Sequence, residues 1–499
     1  MTSIGLANSG FTRQPVPACM RLLSPPLYLL FAFVIDPAHA ASSPVHHSDP
    51  IAPVILTVTG ILFFALLGGY VARKLNQPSV LGQLIIGMIL GNLLYFFGSD
   101  LIVVLREGTA IFNMLDLSLQ GQSWANAANT VLPPDVADRV TRIMQSPDAA
   151  LLMQVSHTVD VFSRYGVIFL LFLVGLESSI DEMRQVRGDS LRVALIGMLC
   201  PVVLGFAAMR LLVPEIDSDT DIFVAATLSA TSIGITASVL KELNQLQRHE
   251  TRIILGAAVI DDILSLIMLA VVSGIVVSGG FAVMDFLKIT ILSSAFLVGS
   301  IALGPRLLKL AIGLVHHMNL AEAKLFISFL FVMLLAWLAT LVGLATIVGA
   351  FTAGLILQDA YFTYWGAPKN HTYNIKELVA PLEAIMVPIF FVLMGIQVKL
   401  ETIADVKALF IALVLLIAAI IGKLLSGTGA RRPANRLLVG IGMMPRGEVG
   451  LIFVSIGKTL NVIDDQLFSA IVIMIIVTTL ITPPLLKWKL KKPDQTQTG

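Results

Sequence analysis

Apolar runs long enough to cross a bilayer, on the order of 20 residues each, recur from Val54 to the end of the chain. No other feature narrows the fold as far. A segment in hydrocarbon has no water to satisfy its backbone, so runs of this length read as helices whose hydrogen bonds close within the segment. Composition agrees: 56% of the 499 residues are hydrophobic and only 13% are charged, which excludes a soluble globular protein. The net charge of +1 offers no basic surface for nucleic acid. The two cysteines, Cys19 and Cys200, make neither a disulfide framework nor a thiolate metal site, and no cofactor is implied.

Counting runs by that length criterion gives about thirteen spans. The first six are Val54–Val71, Val80–Phe97, Val159–Gly175, Leu191–Val213, Ile222–Leu240 and Ile253–Val277. Phe286–Leu303, Leu325–Val342, Leu344–Leu357 and Ala384–Ile396 follow, and then Ala408–Leu425, Leu437–Ile456 and Leu467–Leu486. Between the second and third spans lies a mixed insert, residues 98–156. Its Pro133-Pro134 and scattered charges mark it as a surface excursion.

Residues 1–40 read as a signal peptide: Arg21 precedes the short apolar stretch Leu27–Ile35, and Ala38-His39-Ala40 follows as a small-x-small cleavage signal. A start at Met20 gives that segment more usual proportions. Basic pairs such as Arg73-Lys74, Arg184 with Arg187, Lys241 with Arg248 and Arg431-Arg432 all fall on one side of the membrane, as does the tail from residue 488. The opposite loops, Glu215 to Asp219 and Asn461 to Asp465, are acidic or neutral. The positive-inside rule then places the mature N-terminus outside and the C-terminus in the cytoplasm, which a cleaved signal peptide also requires.

The chain repeats itself. Val80-Leu81-Gly82-Gln83-Leu84-Ile85-Ile86-Gly87 resembles Ile347-Val348-Gly349-Ala350-Phe351-Thr352-Ala353-Gly354. One span later, Leu173-Val174-Gly175-Leu176-Glu177 matches Leu393-Met394-Gly395-Ile396-Gln397. An odd offset of spans makes such repeats inverted, the arrangement common in secondary transporters.

Within the sixth span two acids stand side by side: Ala258-Val259-Ile260-Asp261-Asp262. A charge at the bilayer centre costs about 2.5 kcal/mol or more, so such residues usually serve a pathway or relay. Neighbours on a helix point about 100° apart, so Asp261 and Asp262 have different tasks. One can pair with a cation while the other opens onto an ion-sized cavity. Desolvation and nearby cations act on its proton affinity in opposite senses, so it can trade a proton for an alkali cation.

The repeat offset pairs the fifth span with the twelfth, and both carry breaks. The fifth reads Leu228-Ser229-Ala230-Thr231-Ser232-Ile233-Gly234, with Gly234 as the loosening residue. The twelfth reads Met443-Met444-Pro445-Arg446-Gly447-Glu448, where Pro445 removes a backbone donor and Gly447 loosens the helix. Non-helical backbone at this depth survives only where protein or water satisfies it, and its free carbonyls suit a hard cation. Thr231 and Ser232 either bond back to their own helix or supply ion ligands. Arg446 and Glu448 either neutralise broken helix ends or join the charge cluster. Lys423, in Gly422-Lys423-Leu424, either snorkels to the surface or reaches a buried carboxylate.

These strings resemble the bacterial monovalent cation/proton antiporter superfamily, in particular its paired-aspartate sodium/proton exchangers, over nearly all of Ile51 to Leu486. The resemblance implies an all-α fold with inverted repeats and two crossing interrupted helices, assembled as a homodimer. It implies dimerisation-domain helices over residues 51–177 and 323–397, and core helices over 191–279 and 405–487. A linker helix would cover 284–304 and a cytoplasmic tail 488–499. It makes Asp262 the shared carrier of cation and proton and pairs Asp261 with Lys423. Kef-type potassium efflux relatives usually add a cytoplasmic nucleotide-binding domain, which is not expected here.

The expectation is therefore a transporter of the bacterial inner membrane, not an enzyme. It would exchange Na+ (or Li+ or K+) for H+ by alternating access, electrogenically. Potassium/proton exchange on the same fold is the nearest alternative. A channel would need a carbonyl-lined filter, which is not visible. An intramembrane aspartyl protease would need acids converging from neighbouring helices, not consecutive ones.

Overall fold

The computed structural model describes residues 51–132, 134–177, 180–212, 218–278, 283–314, 320–357, 374–400, 406–460 and 462–491. The expected signal peptide, residues 1–40, lies outside them, as do residues 215–217, Lys369 and the tail beyond residue 491.

Among the described residues every regular element is a helix. Helices α1 (Ala52–Lys74) and α2 (Ser79–Phe96) are followed by four short ones, α3 (Asp100–Glu107), α4 (Thr109–Leu119), α5 (Trp124–Val131) and α6 (Pro134–Met144). Then come α7 (Ala149–Leu176), α8 (Ile180–Leu212), two half-helices α9 (Ser218–Thr227) and α10 (Ile233–Glu242), and α11 (His249–Ser278). Helix α12 (Val283–Leu314) leads to α13 (Leu320–Leu341), α14 (Thr346–Ile356), α15 (Ile375–Ile396) and α16 (Val406–Ser426). A second pair of half-helices, α17 (Arg436–Gly442) and α18 (Glu448–Thr459), precedes α19 (Asp465–Lys491). Nine described helices are long and apolar enough to cross a membrane: α1, α2, α7, α8, α12, α13, α15, α16 and α19. The remaining apolar stretches appear as α11, the short α14 and the two half-helix pairs.

The packing carries the inverted repeat that the sequence motifs suggest. Helix α1 lies on α2 as α13 lies on α14, α2 crosses α15 as α14 crosses α7, and α7 and α15 pack on each other. On the other side α8 holds α11 as α16 holds α19, with α8 against α16 between them. The glycines of the repeated strings sit at the two equivalent crossings. A methyl group on Gly87 would lie 2.2 Å from the Val392 carbonyl oxygen, and one on Gly395 2.2 Å from that of Leu84. At the mirror crossing, Gly175 and Gly354 stand in the same relation to Phe351 (2.3 Å) and Phe172 (2.2 Å). Without a hydrophobic driving force in lipid, small residues that let backbones approach are what draw such helices together. The first motif of each repeat therefore contacts the second motif of the other.

The insert is more ordered than a surface excursion suggests. Leu101 to Leu105, Ile111, Met114, Val140 and Ile143 are buried in one apolar cluster with Val54, Ile61 and Ala65 of α1 and Ile389, Val392 and Leu393 of α15. Helix α3 is buried all round over Leu101 to Arg106, and Arg106 stays inside by lying 4.0 Å over the Tyr95 ring. Helix α7 also begins at Ala149, ahead of the apolar run that marks its span.

Candidate functional site

Two breaks meet in the middle of the molecule. The backbone between α9 and α10, Leu228 to Ser232, is not helical, and neither is Met443 to Gly447 between α17 and α18. The Ser232 amide donates to the Pro445 carbonyl at 2.8 Å, so each unwound strand satisfies part of the other. The Thr231 hydroxyl donates to the Met443 carbonyl at 3.4 Å, and the Thr236 hydroxyl to that of Gly442 at 2.7 Å. Pro445 and Gly447 lie within a break, and a methyl on Gly447 would meet Ser232 Oγ at 2.9 Å. Gly234 does not loosen the fifth span. It is the second residue of α10, and the break ends before it.

The buried charges gather at this crossing. Asp261 and Asp262 lie on α11, 0% and 6% exposed, and Lys423 of α16 and Arg446 of the second break are both fully buried. Lys423 does not snorkel: its Nζ stands 3.4 Å from Asp261 Oδ2 and also donates to the Ser229 carbonyl. Arg446 donates to the carbonyls of Leu228 and, at 3.2 Å, Met444. Leu228 and Ser229 follow α9 directly, where a helix leaves carbonyls without intrahelical partners and carries partial negative charge. The two cations therefore cap one half-helix, and Lys423 additionally holds Asp261. Asp261 Oδ1 is buried and accepts no hydrogen bond among the described residues. Glu448 opens α18, but its side chain lies outside what the structure describes.

Thr479 of α19 is a part of the site that the sequence did not single out. Its hydroxyl donates to the Arg446 carbonyl and so braces the second break from the far side. The available signal was the hydroxyl group of Thr478, Thr479 and Thr482 inside an otherwise apolar span. A cavity of about 320 Å³ lies nearby, bounded by Asp160, Ser163 and Val167 of α7, Thr346 of α14, Met394 of α15 and Val449 of α18.

Crossed half-helices beside a buried acid pair and a buried ammonium are an arrangement of the kind that secondary transporters place near the bilayer midplane. The chain is a multi-pass membrane protein, and it belongs to the sodium/hydrogen exchanger family, whose transmembrane region matches residues 61–492. It is 34% identical over 475 residues to the high-affinity Na+/H+ antiporter NhaS3 of Synechocystis, covering 94% of this chain and 95% of that one. It is 29% identical over 443 residues to the Na+/H+-K+ antiporter GerN of Bacillus cereus, covering 87% and 96%. Among solved structures, the sodium proton antiporter MjNhaP1 of Methanocaldococcus jannaschii shares the fold. Its TM-score is 0.55 at 17% identity, covering 89% of this chain and 98% of that one.

Proposed function

We propose that this chain exchanges Na+ for H+ by alternating access, with Asp262 as the carboxylate that carries each in turn. The observation behind the assignment is the division of labour in the acid pair: Lys423 is committed to Asp261 at 3.4 Å, while Asp262 sits one position on, turned about 100° away. Keeping a carboxylate ionised at this depth is costly. Asp262 is therefore occupied either by a proton or by a cation, and the empty anion is the state the protein avoids crossing with. Thr231 and Ser232, at the crossing, contribute oxygens to the cation's surroundings. Two acids in one site make electrogenic exchange the expected mode.

The α7–α15 layer with α1, α2, α13 and α14 forms the stationary part and the dimer contact. The half-helices with α8, α11, α16 and α19 form the moving part. The residues preceding α1 lie outside the cytoplasmic membrane and α19 ends inside, as the basic loops require. The Bacillus relative, a Na+/H+-K+ antiporter by name, makes potassium the second ion to test. Purified protein in liposomes should move protons when Na+ is added, and Asp262→Asn should abolish this. Sodium-dependent proton movement retained in Asp262→Asn would overturn the assignment, and competition between Na+ and K+ in the same assay decides the ion.

A further inference from the structure

The two ends of the interface between the half-helices and the α7–α15 layer are not alike. On one face the interface is parted, by the cavity of about 320 Å³ between Val449 of α18 and α7, α14 and α15. Arg164, which lines that cavity, has a side chain 57% exposed, so the cavity opens at the protein surface there. On the other face the interface is bolted at the C-terminus of α10. Lys241 Nζ lies 2.6 Å from Glu383 Oε1 of α15, both side chains less than a fifth exposed. The next residue, Glu242, takes the opposite charge to a different helix. Its two oxygens each accept from the Ser79 amide at 2.8 Å, and Oε2 also accepts from the Ser79 hydroxyl at 2.7 Å. Ser79 is the first residue of α2, where free amides and the helix dipole favour a carboxylate.

We infer that Lys241 and Glu242 form a latch on the face of the basic loops, clamping α10 to α15 and to the start of α2 and so holding the transporter open to the opposite side. The inference rests on the alternating-access reading above and adds what sets its resting state. The two bonds point at two helices of the same layer with opposite polarity, so no single neighbouring charge substitutes for both. For the aspartates to face the basic-loop side, α10 must leave α15 and α2, and both bonds must break in that step. Each is partly buried, which makes it stronger than a surface pair and breakable by motion of one rigid half-helix.

The test uses the full chain in liposomes, with Cys19→Ser and Cys200→Ser removing the native thiols and Val167→Cys placing a reporter in the cavity. A membrane-impermeant maleimide added from the cavity side reads how often that side is open. Lys241→Gln and Glu383→Gln should each shift the open-to-closed ratio about fivefold towards closed, for loss of one partly buried ion pair, and so lower the labelling rate by a smaller factor. The exchanged pair Lys241→Glu with Glu383→Lys should restore the rate. Ser79→Ala, which keeps the fold's charges intact, should shift the ratio about twofold, from loss of one charge-assisted bond weakened by solvent, and lower the rate less than either charge variant. Unchanged labelling in the single variants, or no restoration in the exchanged pair, overturns the latch. Exchange is measured on the parent protein in the same vesicles. Its absence would sink the antiport reading, while the labelling rates would still decide the latch.

Discussion

Without its ammonium, Lys423 would leave the fully buried Asp261 without its ion-pair partner. Breaking a buried pair from one side typically costs about 3–5 kcal/mol. Lys423→Ala should therefore lower the melting temperature of the detergent-solubilised protein steeply, and Asp261→Asn in the same chain should return much of it. A double variant as unstable as the single one would show that Lys423 matters for the α9 carbonyls and not for the acid. Arg446 poses a related question, because its planar group reaches the Leu228 and Met444 carbonyls together. A lysine carries the charge but not that fork. Arg446→Lys should thus fail to rescue exchange to parental rates in liposomes, whereas a role for charge alone would give full rescue. Both cations were legible in the sequence as intramembrane charges needing a reason. That they share one half-helix end was not, because a carbonyl acceptor leaves no mark in the residue string.

At the scale of helices, periodicity and length made the long spans readable, and the repeated glycine strings made their pairing readable in part. The strings could be aligned from sequence, yet which string touches which is a property of crossing geometry: Gly87 meets α15 and Gly354 meets α7. The first break lies a few residues ahead of Gly234 for a physical reason. Gly234 is compatible with a helix at a modest cost, whereas the hydroxyl-rich Leu228 to Ser232 finds partners across the crossing that no helix would offer. The insert hid its order because its helices are short, 8 to 11 residues, below the length that marks a span. The crossings give a sharp expectation. Gly354→Val and Gly395→Val would drive side chains into backbone rather than into flexible neighbours. Each should cost more than the ~1–3 kcal/mol usual for overpacking and show up as lost folded protein in size-exclusion profiles. Gly188, with nothing within 4 Å of its added methyl, is the control: Gly188→Ala should be neutral or gain about 0.5–1 kcal/mol from helix propensity. Equal damage at all three positions would mean that the crossings are not close-packed.

For the whole molecule, the ion site and the insert occupy different parts of the chain and should be separable in one measurement. Lys399, just after α15, holds both oxygens of Glu107 at 2.7 Å, with the two side chains 12% and 7% exposed. This pair fastens α3 to the end of α15, in the apolar cluster that joins the insert to α1 and α15. The aspartates and Lys423 lie on α11 and α16, which among the described residues contribute nothing to that cluster, while the insert meets the half-helices through α5 against α18. Glu107→Gln removes one charge and leaves a largely buried ammonium, a loss of about 1–3 kcal/mol, so the melting temperature should fall. Sodium binds only the folded protein, and at a hundred times its Kd it adds about 2.7 kcal/mol of stability. That increment depends on the site alone. Glu107→Gln should melt lower than the parent yet gain the same number of degrees from added Na+, whereas Asp262→Asn should gain none. If sodium no longer raised the melting temperature of Glu107→Gln, the insert would be coupled to the ion site, and the separation of the two parts drawn from their packing would be wrong.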